Sequence, residues 1–296
     1  MTFAFMAPLM FVGLVLFLLL GYPVAFALAA NGLLFAFIGI QSGLFDLTLL
    51  QALPERVYGI LSNQTLLAIP FFTFMGLVLE RSGMAEELLD TVGQLFGRVR
   101  GGLAFAVVLV GALLAATTGV MAATVIAMGL ISLPIMLRYG YDKRLATGVI
   151  AASGTLAQII PPSIVLIVLA DQLGASVGDM YAGALVPGLA LAGLYLLYVF
   201  GVTLFKPAAA PALPPQARTL RGAALARRAA VSLVPPLVLI FLVLGTIFLG
   251  IATPTEGGAL GAAGALVLAA LRRRLTLDVT KQAMDSTARL TSFVIF

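Results

Sequence analysis

Two stretches of this sequence put hydroxyls, glycines and prolines where an apolar helix would otherwise continue. The first is Ala115-Ala116-Thr117-Thr118-Gly119-Val120. The second runs from Ala151 through Ser153-Gly154-Thr155 and Gln158 to Ile160-Pro161-Pro162-Ser163. The chemistry on offer is coordination by uncharged oxygen. Consecutive prolines remove two backbone donors and clash with the preceding turn, and Ile160 is pushed out of the helical region. Carbonyls near residues 157–160 then lose their helical partners and become hard oxygen ligands. Ser153, Thr155 and Ser163 add hydroxyl oxygens. Such a mixture suits Na⁺, and half-helix N-termini beside it favour an anionic substrate group. An unpaired backbone group in lipid is costly, so a broken helix survives only where protein or a watery cavity covers it. The plain alternatives are a tight turn between two ordinary spans at the first stretch and a structural proline kink at the second.

Composition removes most other chemistry. The chain has 296 residues, of which 61% are hydrophobic and 10% charged, with no Cys, His or Trp. Thiol chemistry, disulfides, haem ligation by His and the common zinc sites are excluded. Carboxylates alone remain as general bases, and no pair of them sits inside an apolar run, which argues against an intramembrane enzyme. Asp171 and Asp179 flank a short turn, Asp142 sits in a loop, and Glu256 is a first-turn acid favoured by the helix dipole. No cofactor is expected other than a coupling Na⁺.

The elements that must position the two stretches are apolar blocks, many near the roughly 20 residues a helix needs to cross hydrocarbon. Runs at 3–20 and 24–40 are joined by Gly21-Tyr22-Pro23. The first lacks a basic n-region, so it is read as a retained helix and not as a leader. A run at 66–79 ends at Glu80-Arg81, and Ala85–Val99 has the spacing of an amphipathic helix lying at the interface. Segments 103–116 and 120–137, linked by Thr117-Thr118-Gly119, fit a re-entrant hairpin. The broken helix covers 145–170, another helix about 180–205, and further spans 231–251 and 256–271. Residues 206–230 form an Ala/Pro-rich linker expected to be solvated beside anionic lipid.

With each full run crossing once and the hairpin returning to its own side, 16 of the 17 Lys and Arg residues fall on one side, Arg56 being the exception. The positive-inside rule makes that side cytoplasmic and the N-terminus periplasmic. The net charge of +5 therefore has a membrane explanation, and no nucleic-acid partner is expected. The fold class is an all-α integral membrane protein with a re-entrant hairpin and a broken helix.

Ala152-Ser153-Gly154-Thr155-Leu156 followed by Ile160-Pro161-Pro162-Ser163 resembles the broken helix of the large membrane subunit of tripartite ATP-independent periplasmic (TRAP) transporters. Gly140-Tyr141-Asp142, Pro187-Gly188 and Pro254-Thr255-Glu256-Gly257 resemble neighbouring segments of that family. The likeness covers essentially the whole chain. At the hairpin tip the family often carries a Ser-Gly-Ser-Ser type run, where this chain reads Thr117-Thr118-Gly119-Val120.

The resemblance implies an elevator-type secondary transporter of organic acids in the bacterial inner membrane, built as an inverted repeat. A small membrane subunit and a periplasmic substrate-binding protein are the implied partners. Residues 1–100 would supply scaffold helices and the interfacial arm, and 101–175 the transport element, with its hairpin at 101–137 and broken helix at 145–170. A helix at 176–206 and the linker 207–230 would lead to connecting helices in 231–296 and the start of a second repeat. That second repeat is expected to lie beyond this chain and to bring any substrate-binding Arg. The proposed Na⁺ site comprises Thr117, Thr118, Gly119, Ser153, Gly154, Thr155, Ile160, Pro161, Pro162 and Ser163. Thr118, Val120 and Gln158 are expected near the substrate. An ion channel, or another secondary transporter with a broken-helix ion site, is the competing class, because channels also line their paths with carbonyls.

Overall fold

The computed structural model describes residues 3–218, 220 and 222–296, apart from the side chains of residues 3, 4, 118 and 123. All regular structure among the described residues is helical. Four helices there have at least 18 residues and are apolar enough to cross a membrane: Val24–Gln41, Val177–Phe205, Gly222–Phe248 and Pro254–Leu271. The chain divides into two units, Met1–Asn63 with Val294–Phe296, and Gln64–Phe293.

The smaller unit contains α1 (Phe3–Leu19), α2 (Val24–Gln41), α3 (Thr48–Gln51) and α4 (Leu53–Leu61). Its first two helices pair. Asn31, buried in an otherwise apolar contact, donates its side-chain amide to the Met10 carbonyl at 3.1 Å.

The larger unit holds both polar stretches. It comprises α5 (Ala68–Arg81), α6 (Met84–Leu95), α7 (Gly102–Thr118), α8 (Met121–Arg138), α9 (Lys143–Thr155), a 3₁₀ turn at Leu156–Gln158, α10 (Ile164–Leu173), α11 (Val177–Phe205), α12 (Gly222–Phe248), α13 (Pro254–Leu271) and α14 (Leu277–Ile295). Lipid offers no hydrophobic drive between helices, so contact depends on small residues that let backbones approach. The Gly/Ala-rich α13 does this against α5 and α12: a methyl on Gly261 would lie 2.5 Å from the Met75 sulfur and 3.2 Å from Val243. A capping box starts α13. Glu256 accepts from the Thr253 amide at 2.8 Å and the Thr253 hydroxyl at 2.9 Å, as a first-turn acid should.

Two ties hold the hairpin and the broken helix at their base. The Leu103 amide, among the orphan donors of the first turn of α7, donates to the Tyr141 hydroxyl at 3.2 Å. Burial pushes the Tyr141 phenol up to about 12 against the opposing effect of the Leu103 and Ala104 amides. Asp142 caps α9 by accepting from the amides of Arg144 and Leu145. It is exposed, as a loop acid was expected to be.

The linker differs from the expectation of a wholly solvated loop. Its backbone straps onto both turns beside it: Gly101 donates to Ala210 at 2.9 Å, Leu213 to Gly97 at 3.0 Å, and Asp142 to Ala209 at 2.9 Å. Ala210 and Leu213 are buried as a result, and α12 already begins at Gly222. The amphipathic α6 likewise buries its apolar face, with Leu88, Leu89 and Val92 in a core shared with α7.

Candidate functional site

The hairpin turns at Gly119 and Val120. Thr117 and Thr118 lie within α7, which ends because Gly119 takes a left-handed conformation, φ 59°, that costs a glycine little. Val120 is extended and starts α8 without a side-chain cap. The Thr118 side chain lies outside the described residues. Thr117 is buried and donates its hydroxyl to the Leu114 carbonyl at 2.8 Å.

The broken helix follows the proline chemistry closely. α9 ends at Thr155, tightens into the 3₁₀ turn, and breaks from Ile159 until Ser163 caps α10. Neither proline can supply an amide to the carbonyls of Ala157 and Gln158. The Gln158 carbonyl instead accepts the Ser163 hydroxyl at 2.8 Å. Ser153 donates to Ile150 at 3.0 Å and Thr155 to Ala152 at 2.7 Å. In each case the hydroxyl proton turns back into the helix, leaving the oxygen's lone pairs for another ligand. Ile160, Pro161, Pro162 and Ser163 are buried, whereas Gln158 is exposed.

Hairpin and break meet at backbone distance. A methyl on Gly119 would lie 3.0 Å from the Pro162 carbonyl oxygen and 3.5 Å from the Ile164 amide nitrogen. One on Gly111 of α7 would sit 3.0 Å from the Ser153 hydroxyl, and one on Gly154 would lie 3.1 Å from the Val125 backbone in α8. The structure thus brings Gly119 to the Ile160–Ser163 break and encloses Ser153 and Gly154 between the hairpin arms. Thr155 is half-buried on the same turn. Four helix ends converge here: the C-termini of α7 and of the 3₁₀ turn, and the N-termini of α8 and α10. The first pair presents carbonyls and the second presents amides, so the arrangement can bind a hard cation beside an anionic group without any charged side chain.

Sequence reasoning named Pro187-Gly188 only as a family-like segment and did not see that Gly188 of α11 backs the break, nor that Tyr181 lies on the same buried face. Tyr181 is fully buried, and a methyl on Gly188 would lie 3.1 Å from Ile160 and 3.3 Å from Ile159. The available signal was the sparse buried face of α11: Val177, Tyr181, Gly188, Ala192 and Val199, at alternating spacings of four and seven.

A match to known proteins agrees with this geometry. The family described as tripartite ATP-independent periplasmic transporter, DctM component, matches residues 11–296. The chain belongs to that family. It is 34% identical over 254 residues to a C4-dicarboxylate TRAP transporter large permease protein DctM of Pseudomonas aeruginosa, covering 86% of this chain and 58% of that protein. A protein of the same description from Vibrio cholerae is 37% identical over 254 residues, covering 86% and 53%. The 2,3-diketo-L-gulonate TRAP transporter large permease protein YiaN of Escherichia coli is 29% identical over 293 residues, covering 98% and 66%. The chain therefore spans little more than half the length of the first two of these DctM relatives.

Proposed function

We propose that this DctM-family chain forms the ion- and substrate-binding core of a Na⁺-coupled secondary transporter for a small organic acid. One observation carries the reading: a hairpin tip and a broken helix, both uncharged, meet inside an apolar helical body so closely that a methyl on Gly119 would lie 3.0 Å from the Pro162 carbonyl oxygen. Carbonyls and hydroxyls there suit Na⁺, and the nearby helix N-termini suit a carboxylate. The relatives' names, which include C4-dicarboxylate and 2,3-diketo-L-gulonate, support an organic acid as cargo.

The transporter works in the bacterial inner membrane with a small membrane subunit and a periplasmic substrate-binding protein. The segment of the permease that this chain does not span completes the site. Hairpin and broken helix move together as the carrier, sliding against scaffold helices. Orientation follows the basic residues. Arg81, Arg228, Arg272 and Arg274 all bond around the ends of α5, α6 and α13, while the opposite end of α13 carries Glu256. The basic end faces the cytoplasm and the N-terminus the periplasm.

The test is uptake by a permease that includes the full family length, assembled with both partners. Thr155→Val removes a hydroxyl oxygen, and Pro162→Ala restores a backbone donor and withdraws a carbonyl. Each is expected to raise the half-saturating Na⁺ concentration, with membrane insertion intact. Unchanged Na⁺ dependence in both would remove the break from the ion site, and conductance without saturable uptake would replace the transporter by a channel.

A further inference from the structure

An open groove of about 550 Å³ lies between the C-terminal end of α11 and the start of α9. Its walls combine two chemistries. Arg144 of α9 and Lys206 at the end of α11 supply two cations, and Tyr198, Val202 and Phe205 supply an apolar face along α11. Both cations are exposed, and among the described residues neither forms an ion pair with a carboxylate. The acid on the wall, Asp142, is occupied: it accepts from the Arg144 amide at 2.8 Å and the Leu145 amide at 3.1 Å. Backbone bonds hold the groove together. The Asp142 amide donates to the Ala209 carbonyl at 2.9 Å and the Ala209 amide to the Lys206 carbonyl at 3.0 Å, which ties the start of α9 to the turn that carries Lys206. Gly201 leaves a notch in the α11 wall, because a methyl added to it would meet nothing within 4 Å.

We propose that this groove binds an anionic phospholipid, with its phosphate between Arg144 and Lys206 and an acyl chain laid along Val202, Tyr198 and the notch at Gly201. The position in the bilayer fits. α11 has 29 residues and extends roughly 44 Å, longer than the ~30 Å of hydrocarbon, so its end reaches the headgroup layer. Tyrosine and lysine are at home at that level, with an apolar body in the chains and a polar tip in the headgroups. Free phosphate would need the two cations, but it would not need an apolar wall. Tyr198 and Phe205 are exposed beside the cations, open to lipid. The bound lipid bridges α9 and α11 by charge where the backbone already ties them. The lipid site is independent of the ion site.

The experiment titrates the purified protein in detergent with phosphatidylglycerol and counts the lipid-bound fraction by native mass spectrometry. Arg144→Gln and Lys206→Gln are each expected to weaken binding about fivefold, and the pair together roughly thirtyfold, at the value of one basic residue beside an anionic surface. Gly201→Leu changes no charge but fills the notch, and should weaken binding about fourfold, the worth of one buried methylene. Lys281→Gln with Arg289→Gln removes the same charge from exposed positions on α14 and should leave the affinity unchanged. Each new side chain lies on the surface or in open space, and the Arg144 amide keeps its bond to Asp142, so the variants are expected to fold. Equal weakening by the two double variants would reduce the attraction to net charge and overturn the proposal. Unchanged binding in Gly201→Leu, or equal retention of phosphatidylcholine, would overturn it as well. Displacement of phosphatidylglycerol by inorganic phosphate at equal concentration would make the groove a site for the free ion and overturn the lipid.

Discussion

The meeting point of hairpin and break and the basic end of α6, α12 and α13 are both polar, but they are built from opposite materials. At the break, the polar groups are backbone and hydroxyl oxygens, and the glycines leave no room for a side chain: a methyl on Gly119 or Gly154 would lie 3.0–3.1 Å from the facing backbone. At the basic end, Glu87 accepts from the Ser232 hydroxyl at 2.7 Å and from Arg272 at 3.1 Å, with Arg274 at 3.9 Å. Arg272 also donates to the Val231 carbonyl and Arg274 to the Ser82 carbonyl. The contrast follows the cost of burying charge. Deep in an apolar body a charged side chain is expensive, while a backbone dipole is already present and costs nothing to import. Near the rim, water tempers the charge and ion pairs become usable.

The sharpest way to break this comparison is to fill the space at the break. In Gly154→Val the first added carbon would overlap the Val125 side chain and lie 3.1 Å from its backbone. Backbone cannot swing aside, so a loss of about 3 kcal/mol is expected, read as failure of the detergent-purified protein to stay monodisperse on mild heating. Gly148 lies on the same α9 with nothing within 4 Å of its added methyl. Gly148→Ala should leave stability unchanged or raise it slightly. Equal damage from both would mean that α9 tolerates no substitution at all and that close approach is not the cause.

The next effect belongs to the basic end. Glu87→Ala would strand Arg272, whose side chain is only 20% exposed. Breaking a partly buried pair in this way should cost about 2 kcal/mol, less than a fully buried one. Burial raises the Glu87 carboxyl, but the Ser232 hydroxyl and Arg272, with help from Arg274, more than offset it and hold the group below its ordinary value. A depressed carboxylate stabilises the fold above its unfolded value, and that contribution is lost as pH falls through the folded one. Glu87→Gln should therefore flatten the acid limb of a melting-temperature profile below about pH 5. An unchanged acid limb would contradict the assignment.

A smaller loss is expected at the base of the hairpin. Tyr141→Phe keeps the ring and removes the acceptor of the Leu103 amide. About 1 kcal/mol should disappear, seen as faster proteolysis in the turn before α7. Faster cleavage elsewhere, with that turn unaffected, would assign the tie to a different role.

These contrasts also explain what was legible in the sequence. The break could be read because Ser153-Gly154-Thr155 and Pro161-Pro162-Ser163 crowd into one apolar run, and the structure interrupts the helix there; a proline pair by itself does not suffice, since α12 runs on through Pro235 and Pro236. The hairpin turn falls within the expected Ala115–Val120 stretch, but its first arm runs two residues further than expected, to Thr118 and not Ala116. Threonine can stay helical by bonding back to the preceding turn, as Thr117 does to Leu114, so the stop belongs to Gly119 alone. In the amphipathic pattern of Ala85–Val99, Glu87 stands off the apolar face with nothing local to distinguish it from Glu86 and Asp90. Its partners Ser232 and Arg272 lie 145 and 185 residues away, and no local period can reveal that. The linker's Ala/Pro composition gave a loop over 206–230, but α12 already begins at Gly222, and the composition hid the loop's burial because the strap is made by backbone atoms that every residue possesses. The buried face of α11 was hidden for a related reason: a residue in a long apolar helix looks like lipid-facing or core filling until its neighbours across the bundle, Ile159 and Ile160 for Gly188, are known.

The smallest effect should come from the outermost pair, and it tests whether the basic end is one network or a gradient. Arg228 meets Asp90 at 2.9 Å, but the two side chains are 39% and 49% exposed. Water and salt screen such a pair, and holding two long side chains in place costs entropy, so Arg228→Ala should lose about 0.5 kcal/mol or less. The loss should vanish at high ionic strength, where the Debye length falls to about 3 Å in 1 M salt. The larger loss from Glu87→Ala should persist there, because Arg272 is shielded from the salt. If instead Arg228→Ala costs as much as Glu87→Ala, and the double variant costs no more than either alone, Asp90, Arg228, Glu87 and Arg272 act as a single coupled unit. The rim would then resemble the break in its cooperativity, and burial would no longer explain the difference between the two regions.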